Sequence, residues 1–330
     1  FILVSFEGMN LSLPTLPDPL EPSNPQDARD SWPWPAPPMD AVNVPIREGT
    51  WPKITIITPS LNQGRFLEAA IRSVLMQGYP NLEYIIADGG STDDSLKIIR
   101  HYAPLVSSWS SVPDVGPAVA RFLSFSRTTG DILAWLNADD VYLPGALFAA
   151  AEALEQHEDT ALVYGEGWYI DEFGRRIEPC RFVRRTFTHQ FLVNKDPILQ
   201  PAAFWRRELW ERTGPLDTSL RWVFDWEWFI RAHAHGRFQY IPHDLAYYRV
   251  QPNALTRTGG LPRQLEHGRV TRHYGAWWHP NHLVQQTRRL DAVGQKLPHG
   301  WPRVPAAIFR TPFAIPRYLA EWLLHGMYMR

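Results

Sequence analysis

Three stretches of this chain are apolar on both of their faces, and each is cut off by a polar turn. Ile54-Thr55-Ile56-Ile57-Thr58 ends at Pro59-Ser60-Leu61-Asn62, Glu83 to Ala87 ends at Asp88-Gly89-Gly90, and Asp131 to Leu136 ends at Asn137-Ala138-Asp139-Asp140. A strand without a polar face belongs in a sheet covered on both sides, which is the usual setting of parallel strands. The intervening segments supply the cover. Phe66, Leu67, Ala70, Ile71, Val74 and Leu75 fall on one helical face that Gly78 and Pro80 bring to an end, and Ser91 to Asp94 has capping-box spacing ahead of Leu96, Ile98 and Ile99.

The same alternation continues. Ala118 to Ser126 and Ala146 to Leu154 read as helices, Ala161 to Tyr164 as a strand, and Trp168 to Phe182 as a hairpin around Gly174. Helices are expected again over Arg206 to Thr213 and Asp225 to His235. Strand and helix in alternation predict an α/β fold with a doubly wound, mostly parallel sheet and right-handed crossovers.

Outside this region the pattern fades. Residues 1–50 carry a dense set of prolines, among them Pro14, Pro17, Pro19, Pro22, Pro25, Pro33, Pro35, Pro37 and Pro38, and are expected to form a disordered leader. The α/β domain is expected over 51–258 and a helical extension over 259–330. Within that extension, Ile308, Phe309, Phe313, Tyr318 and Trp322 mix with Arg310 and Arg317, a pattern that fits a membrane interface or a helix packed on the domain or on a second copy.

Composition narrows the partners. Lys and Arg number 33 against 34 Asp and Glu, so no overall basic field points to nucleic acid. Cys180 is the single cysteine, which excludes an internal disulfide framework. The opening FILVSF lacks a basic segment and a cleavage site, and no apolar run reaches the ~18 residues of a spanning helix. The expected location is cytoplasmic, with peripheral contact at the inner face of the plasma membrane as the alternative that the tail allows. Oligomeric state is not legible.

Ligands of open α/β sheets bind beyond the carboxyl ends of the strands, which is where Ser60, Asp88 and the 137–140 cluster fall. Singly, each has a plain structural explanation, since Asp before Gly-Gly is an ordinary turn. Taken in order, Thr58 to Asn62, Ala87 to Asp93, Asp114-Val115-Gly116, Gly130 to Asp140 and Phe224-Asp225-Trp226-Glu227-Trp228-Phe229-Ile230-Arg231 resemble the motifs of a family 2 glycosyltransferase of the GT-A fold.

That resemblance implies an inverting transfer of one sugar from a nucleoside diphosphate donor to an acceptor hydroxyl, in the building of a cell-surface polysaccharide or lipopolysaccharide. Pro59, Ser60 and Asp88 match positions that hold the nucleoside, and Asp114 matches one that lines the donor pocket. Asn137-Ala138-Asp139 stands where the family has D-x-D, so Asp139 with Asp140 would hold Mg²⁺ or Mn²⁺ at the diphosphate, and Asp225 matches the base. The chemistry agrees: a hard cation neutralises the departing diphosphate, while a carboxylate accepts the acceptor's proton.

Two departures stand out. Asn137 is a poorer ligand than Asp, and Gln251 stands where the family often has His, leaving Arg249 as a cation for the diphosphate. Gln200, Trp226 and Glu227 are further candidates on the acceptor side, where a glycan or a lipid-linked acceptor is the expected partner, although Trp226 and Trp228 lie on different sides of a helix and suit core packing. His233 and His235, two apart on a helix, do not make a metal pair. Two other functions remain open. One is a sugar-phosphate nucleotidyltransferase, which needs a richer Gly and basic loop than Pro59 to Arg65 offers; the other is a catalytically impaired sugar-nucleotide binding module.

Overall fold

The computed structural model describes residues 15–20, 27, 32–34, 50–113, 125, 128–252, 254 and 258–275. Strand β1, Ile54–Ser60, is buried almost throughout, as its doubly apolar pattern requires. It pairs in parallel with β2, Leu82–Asp88, on one side and with β4, Ile132–Trp135, on the other, and β2 pairs in parallel with β3, Ser108–Ser111. Helices α1, Gly64–Leu75, and α2, Ser95–Tyr102, complete the crossovers. The alternation read from the sequence therefore builds β1, β2 and β4 of this parallel half, while β3 was not expected.

The other half is mixed. Strands β5, Val141–Tyr142, β6, Thr160–Ile170, β7, Arg176–Pro179, β8, Ala203–Arg206, and β9, Arg237–Arg249, extend the sheet to nine strands among the described residues. The order is β3-β2-β1-β4-β8-β6-β9-β5, with β7 on β6. β8 lies antiparallel between β4 and β6, and β9 runs parallel to β6 with shifts in register. Neither β8 nor β9 was expected as a strand: the four residues of β8 carry no alternation, and the bulges of β9 break it. The helices here are α3, Ala146–Gln156, α4, His189–Asn194, α5, Arg207–Thr213, α6, Phe224–Ala232, and α7, Gly260–His273. α6 stops three residues short of the expected His235.

An aromatic cluster fixes α6 against the sheet. Trp228 lies 4.9 Å from Trp205 of β8 and 5.4 Å from Trp210 of α5, and Trp205 packs at 5.1 Å on Trp135 of β4. Such rings bury large apolar areas in tilted contacts. Trp226, on the other side of the helix, stacks at 4.1 Å on His267 of α7 and donates its indole N–H to the Leu192 carbonyl.

The leader residues that are described lie against α1. Arg72 is buried and donates to the carbonyls of Pro33, Trp34 and Pro17, while Glu68 accepts from Leu20 N–H and from Tyr102 Oη. Trp32 donates its indole N–H to the Tyr142 carbonyl at 2.6 Å. A disordered leader was expected from its prolines. At the described positions the chain is packed: Arg72 of α1 donates to its carbonyls, while Glu68 and the Tyr142 carbonyl accept from Leu20 N–H and the Trp32 indole N–H.

Candidate functional site

Ser60 and Asp88 end adjacent parallel strands and are partners in register, so their side chains share one rim. The Asp88 carboxylate is 2% exposed. Its Oδ2 accepts from Gly90 N–H, Ser91 N–H and Ser111 Oγ, and its Oδ1 accepts from Ser91 Oγ at 2.5 Å. The turn works because Gly90 adopts φ of 82°, a region closed to most side chains. Ser111, at the end of β3, is a partner that the sequence reading missed; its four-residue strand carries no motif. The Ser60 hydroxyl is buried and has no hydrogen-bond partner among the described residues. Pro59 precedes it in β1, opposite Ala87.

The loops after β1 and β2 are tied together. Asn62, with φ of 52°, donates its N–H to Ser91 Oγ and accepts from Thr92 N–H. Asp93 accepts from Gly64 N–H at 2.8 Å and Ser95 N–H at 3.0 Å, so one carboxylate serves the first turns of both α1 and α2. The capping box expected around Ser91 to Asp94 is replaced by this bridge, which depends on the two helix ends lying side by side.

The acidic turn after β4 is held from β9. Strand β5 follows the turn directly and pairs antiparallel with β9, Val141 opposite Tyr247, which brings residues 139 and 140 to Arg249. Asp140 accepts from Arg249 N–H at 3.0 Å and from Asn137 Nδ2 at 3.1 Å. Arg249 donates from Nε to the Asp139 carbonyl and from Nη1 to the Asp171 carbonyl. Asn137 also donates to Gln200 Oε1 at 3.0 Å, and Gln200 donates to the Trp135 carbonyl. Gln251 Nε2 donates to Asp139 Oδ2 at 3.2 Å. Burial, then the Asp139 charge, pushes the Asp140 carboxyl well above the usual range. Burial lowers the Arg249 pKa against the pull of Asp139 and Asp140.

Asp140, expected beside Asp139 at a metal, is 2% exposed, and its two oxygens accept from Arg249 N–H and Asn137 Nδ2. Asp139 is partly exposed, with Gln251 beside its carboxylate. Ala138 between them is buried. No group of three acidic, His or Cys side chains suited to a metal occurs among the described residues. One carboxylate still fits Mg²⁺ or Mn²⁺, which commonly take one or two protein carboxylates and fill the remaining positions with phosphate and water.

Asp225 sits in the first turn of α6, partly exposed, and accepts from Trp226 N–H at 2.8 Å. Its charge reaches Asp196, whose carboxyl is pushed well above the usual range by burial first and by Asp225 second. Asp196 stands four residues before Gln200, which accepts from Asn137 Nδ2. The stretch from Asp196 to Pro201 resembles the family's acceptor-side region, but within it the sequence marks only Gln200 as a candidate contact. Trp226 and Glu227, named as acceptor contacts, are both engaged in packing. Trp226 is stacked on His267, and Glu227 holds Arg231 at 2.8 Å and the Tyr274 hydroxyl at 2.6 Å. Asp114 lies outside the described residues.

Arg65, at the start of α1, is a second cation at this rim that the motifs did not mark. Both Arg65 and Arg249 lie over the Phe66 ring, at 5.3 and 4.7 Å. Arg65 pairs with Asp27 of the leader at 2.9 Å and with Glu172 at 2.8 Å.

A parallel sheet that turns antiparallel past β4, with an acidic turn at that junction, is the GT-A glycosyltransferase architecture. The sequence profile described as Glycosyl transferase family 2 matches residues 55–212. A PGL/p-HBAD biosynthesis glycosyltransferase of Mycobacterium bovis (strain BCG / Pasteur 1173P2) is 31% identical over 188 residues, covering 56% of this chain and 71% of that protein. An uncharacterized glycosyltransferase of Nostoc sp. is 29% identical over 213 residues, covering 60% of this chain and 65% of the relative. This chain belongs to glycosyl transferase family 2.

Solved structures agree on the fold. S. aureus TarS in complex with UDP-GlcNAc superposes with a TM-score of 0.57 at 15% identity, covering 81% of this chain and 79% of TarS 1-349. The mannosyltransferase PcManGT from Pyrobaculum calidifontis, in complex with GDP-Man and Mn²⁺, gives 0.54 at 18% identity, covering 86% of this chain and 88% of that one.

Proposed function

We propose that this chain is an inverting glycosyltransferase that moves a sugar from a nucleoside diphosphate donor to the hydroxyl of a glycan or lipid-linked acceptor in cell-surface polysaccharide or lipopolysaccharide synthesis. One observation supports it: β1 pairs in parallel with both β2 and β4, so Ser60, Asp88 and the acidic turn leave the sheet at the same end, and the Asp225 charge acts on Asp196 in the segment that leads to Gln200 and Asn137. The buried, unpartnered Ser60 hydroxyl supports a polar ligand there, because an unsatisfied buried group costs roughly 1–3 kcal/mol.

In this reading Pro59, Ser60 and Asp88 hold the nucleoside. Asp139 would hold Mg²⁺ or Mn²⁺, which supplies charge neutralisation as the diphosphate leaves. The solved complexes of TarS with UDP-GlcNAc and of PcManGT with GDP-Man and Mn²⁺ make a sugar nucleotide the natural donor class to test, and the second makes Mn²⁺ the metal to add. Arg65 and Arg249 add positive charge to the same rim, and Asn137 acts through Asp140 and Gln200 rather than as a ligand. Asp225 accepts the proton of the acceptor hydroxyl as the oxygen attacks the anomeric carbon and the diphosphate departs from the opposite face, so configuration inverts in a single step.

The test has two stages. UDP-, GDP- and dTDP-sugars are screened by thermal shift with and without Mn²⁺, since a ligand that binds only the folded state raises its Tm. With the best donor, Asp225→Asn should abolish turnover while nucleotide binding stays near the parent's. Parental turnover in Asp225→Asn would remove the base assignment, and no Tm response to any sugar nucleotide would remove the donor class.

A further inference from the structure

Helix α6 begins at Phe224, and its N-cap residue Val223 has no side chain that can accept a hydrogen bond. In a capping box the third helical residue would reach back to the N-cap N–H; here that residue is Trp226. The missing acceptor comes from another helix. Glu266 of α7 is 3% exposed and takes the N–H groups of Arg221 at 2.8 Å, Trp222 at 2.6 Å and Val223 at 3.1 Å. The cation beside it, Arg269, is 3.9 Å away and largely exposed, so screening leaves it a minor partner. Burying a carboxylate is costly unless it is satisfied, and three main-chain donors satisfy this one.

The grip of α7 on this turn has further points. His267 stacks on Trp226, the residue after Asp225, and Tyr274 donates to Glu227. At the start of α7, a Cβ on Gly259 would come within 2.8 Å of the Trp222 ring, so glycine permits the contact. All of these residues lie beyond the 55–212 span of the family profile.

We propose that Glu266 is a positioning residue for Asp225: by fixing the backbone at 221–223, it sets where the base carboxylate stands relative to the acceptor hydroxyl. This rests on the reading of Asp225 as base. Small displacements of a reacting group lower turnover steeply, whereas the nucleoside rim at Ser60 and Asp88 is built from other strands and should not respond.

The test uses the full chain with Glu266→Gln, Glu266→Asp and Asp225→Asn. Calorimetric titration with the nucleoside diphosphate of the donor chosen by the Mn²⁺ thermal-shift screen gives the binding-competent fraction, and release of that diphosphate from its sugar nucleotide gives kcat. The expected result for Glu266→Gln is a kcat per binding-competent molecule lower by about tenfold or more, with diphosphate affinity and donor KM close to the parent's. A kcat per competent molecule nearer the parent's overturns the proposal and leaves Glu266 as a packing residue. If the Gln variant fails to fold, Glu266→Asp keeps the charge but withdraws the carboxylate by one methylene, and the same two outcomes apply. The Asp225→Asn arm separates the failures: if it turns over like the parent, the base assignment falls, whatever Glu266 does.

Discussion

Asp140 accepts the main-chain N–H of Arg249 across 109 residues of sequence, and with the bond from Arg249 Nε to the Asp139 carbonyl it ties the acidic turn after β4 to the end of β9. Two neighbouring carboxylates are thereby given different work: Asp140 holds the turn, and Asp139 is left partly exposed at the rim.

The division predicts opposite phenotypes. Asp140→Ala leaves Arg249 N–H and Asn137 Nδ2 without their buried acceptor and should lower unfolding stability by about 3 kcal/mol. Asp139→Ala should change stability little but remove the Mn²⁺-dependent part of the Tm shift caused by the donor. Urea denaturation and thermal shift on both variants check this; equal stability losses would show that the two carboxylates are not so divided.

Asp196 should make stability depend on pH. Its folded pKa is raised, by burial and then by Asp225, so the protonated form is favoured on folding. Its stabilising contribution is complete below the unfolded pKa of about 3.9 and is lost as pH rises through the folded value. Asp196→Asn keeps an acceptor for Ile198 N–H without the ionisation. The parent should therefore lose stability relative to Asp196→Asn as pH increases from 4 upwards, and parallel denaturation midpoints across that range would contradict the shift.

Arg72 should hold the leader to the domain. Its guanidinium meets three leader carbonyls and the Tyr102 hydroxyl in a buried setting, where loss of a charged donor costs about 2–4 kcal/mol. Arg72→Met keeps most of the side-chain volume and removes those bonds. Limited proteolysis should then cut the leader near Leu20 and Asp27 faster than in the parent while sparing the sheet, and an unchanged digestion pattern would refute the contact.

Much of the parallel half was legible because it is local. Ile54 to Thr58 and Ile132 to Trp135 are apolar on both faces, and that property follows from burial alone whatever the neighbours are. The polar residues at their ends were legible for the same reason: Ser60, Asp88 and Asp139 interrupt strands at the edge where open sheets bind ligands. The mixed half was not legible. β8 is four residues long, and its place between β4 and β6 is set by tertiary pairing of Trp205 with Leu133 and Leu162. The contacts of the leader's described positions were not legible, because the buried Glu68 and Arg72 that make them look like surface residues on an amphipathic helix.

The amino-acid sequence by itself determined the family, the parallel strands and which carboxylates stand at strand ends, since side-chain chemistry and period are properties of neighbouring residues. The tertiary structure decided which of those carboxylates is structural and which faces the rim. It also decided that Asp196 feels Asp225 and that a glutamate from α7 holds the three N–H groups just ahead of the helix carrying that carboxylate. Those relations join residues far apart in the chain, where hydrogen-bond partners are chosen by the packing of whole elements and no local pattern encodes them.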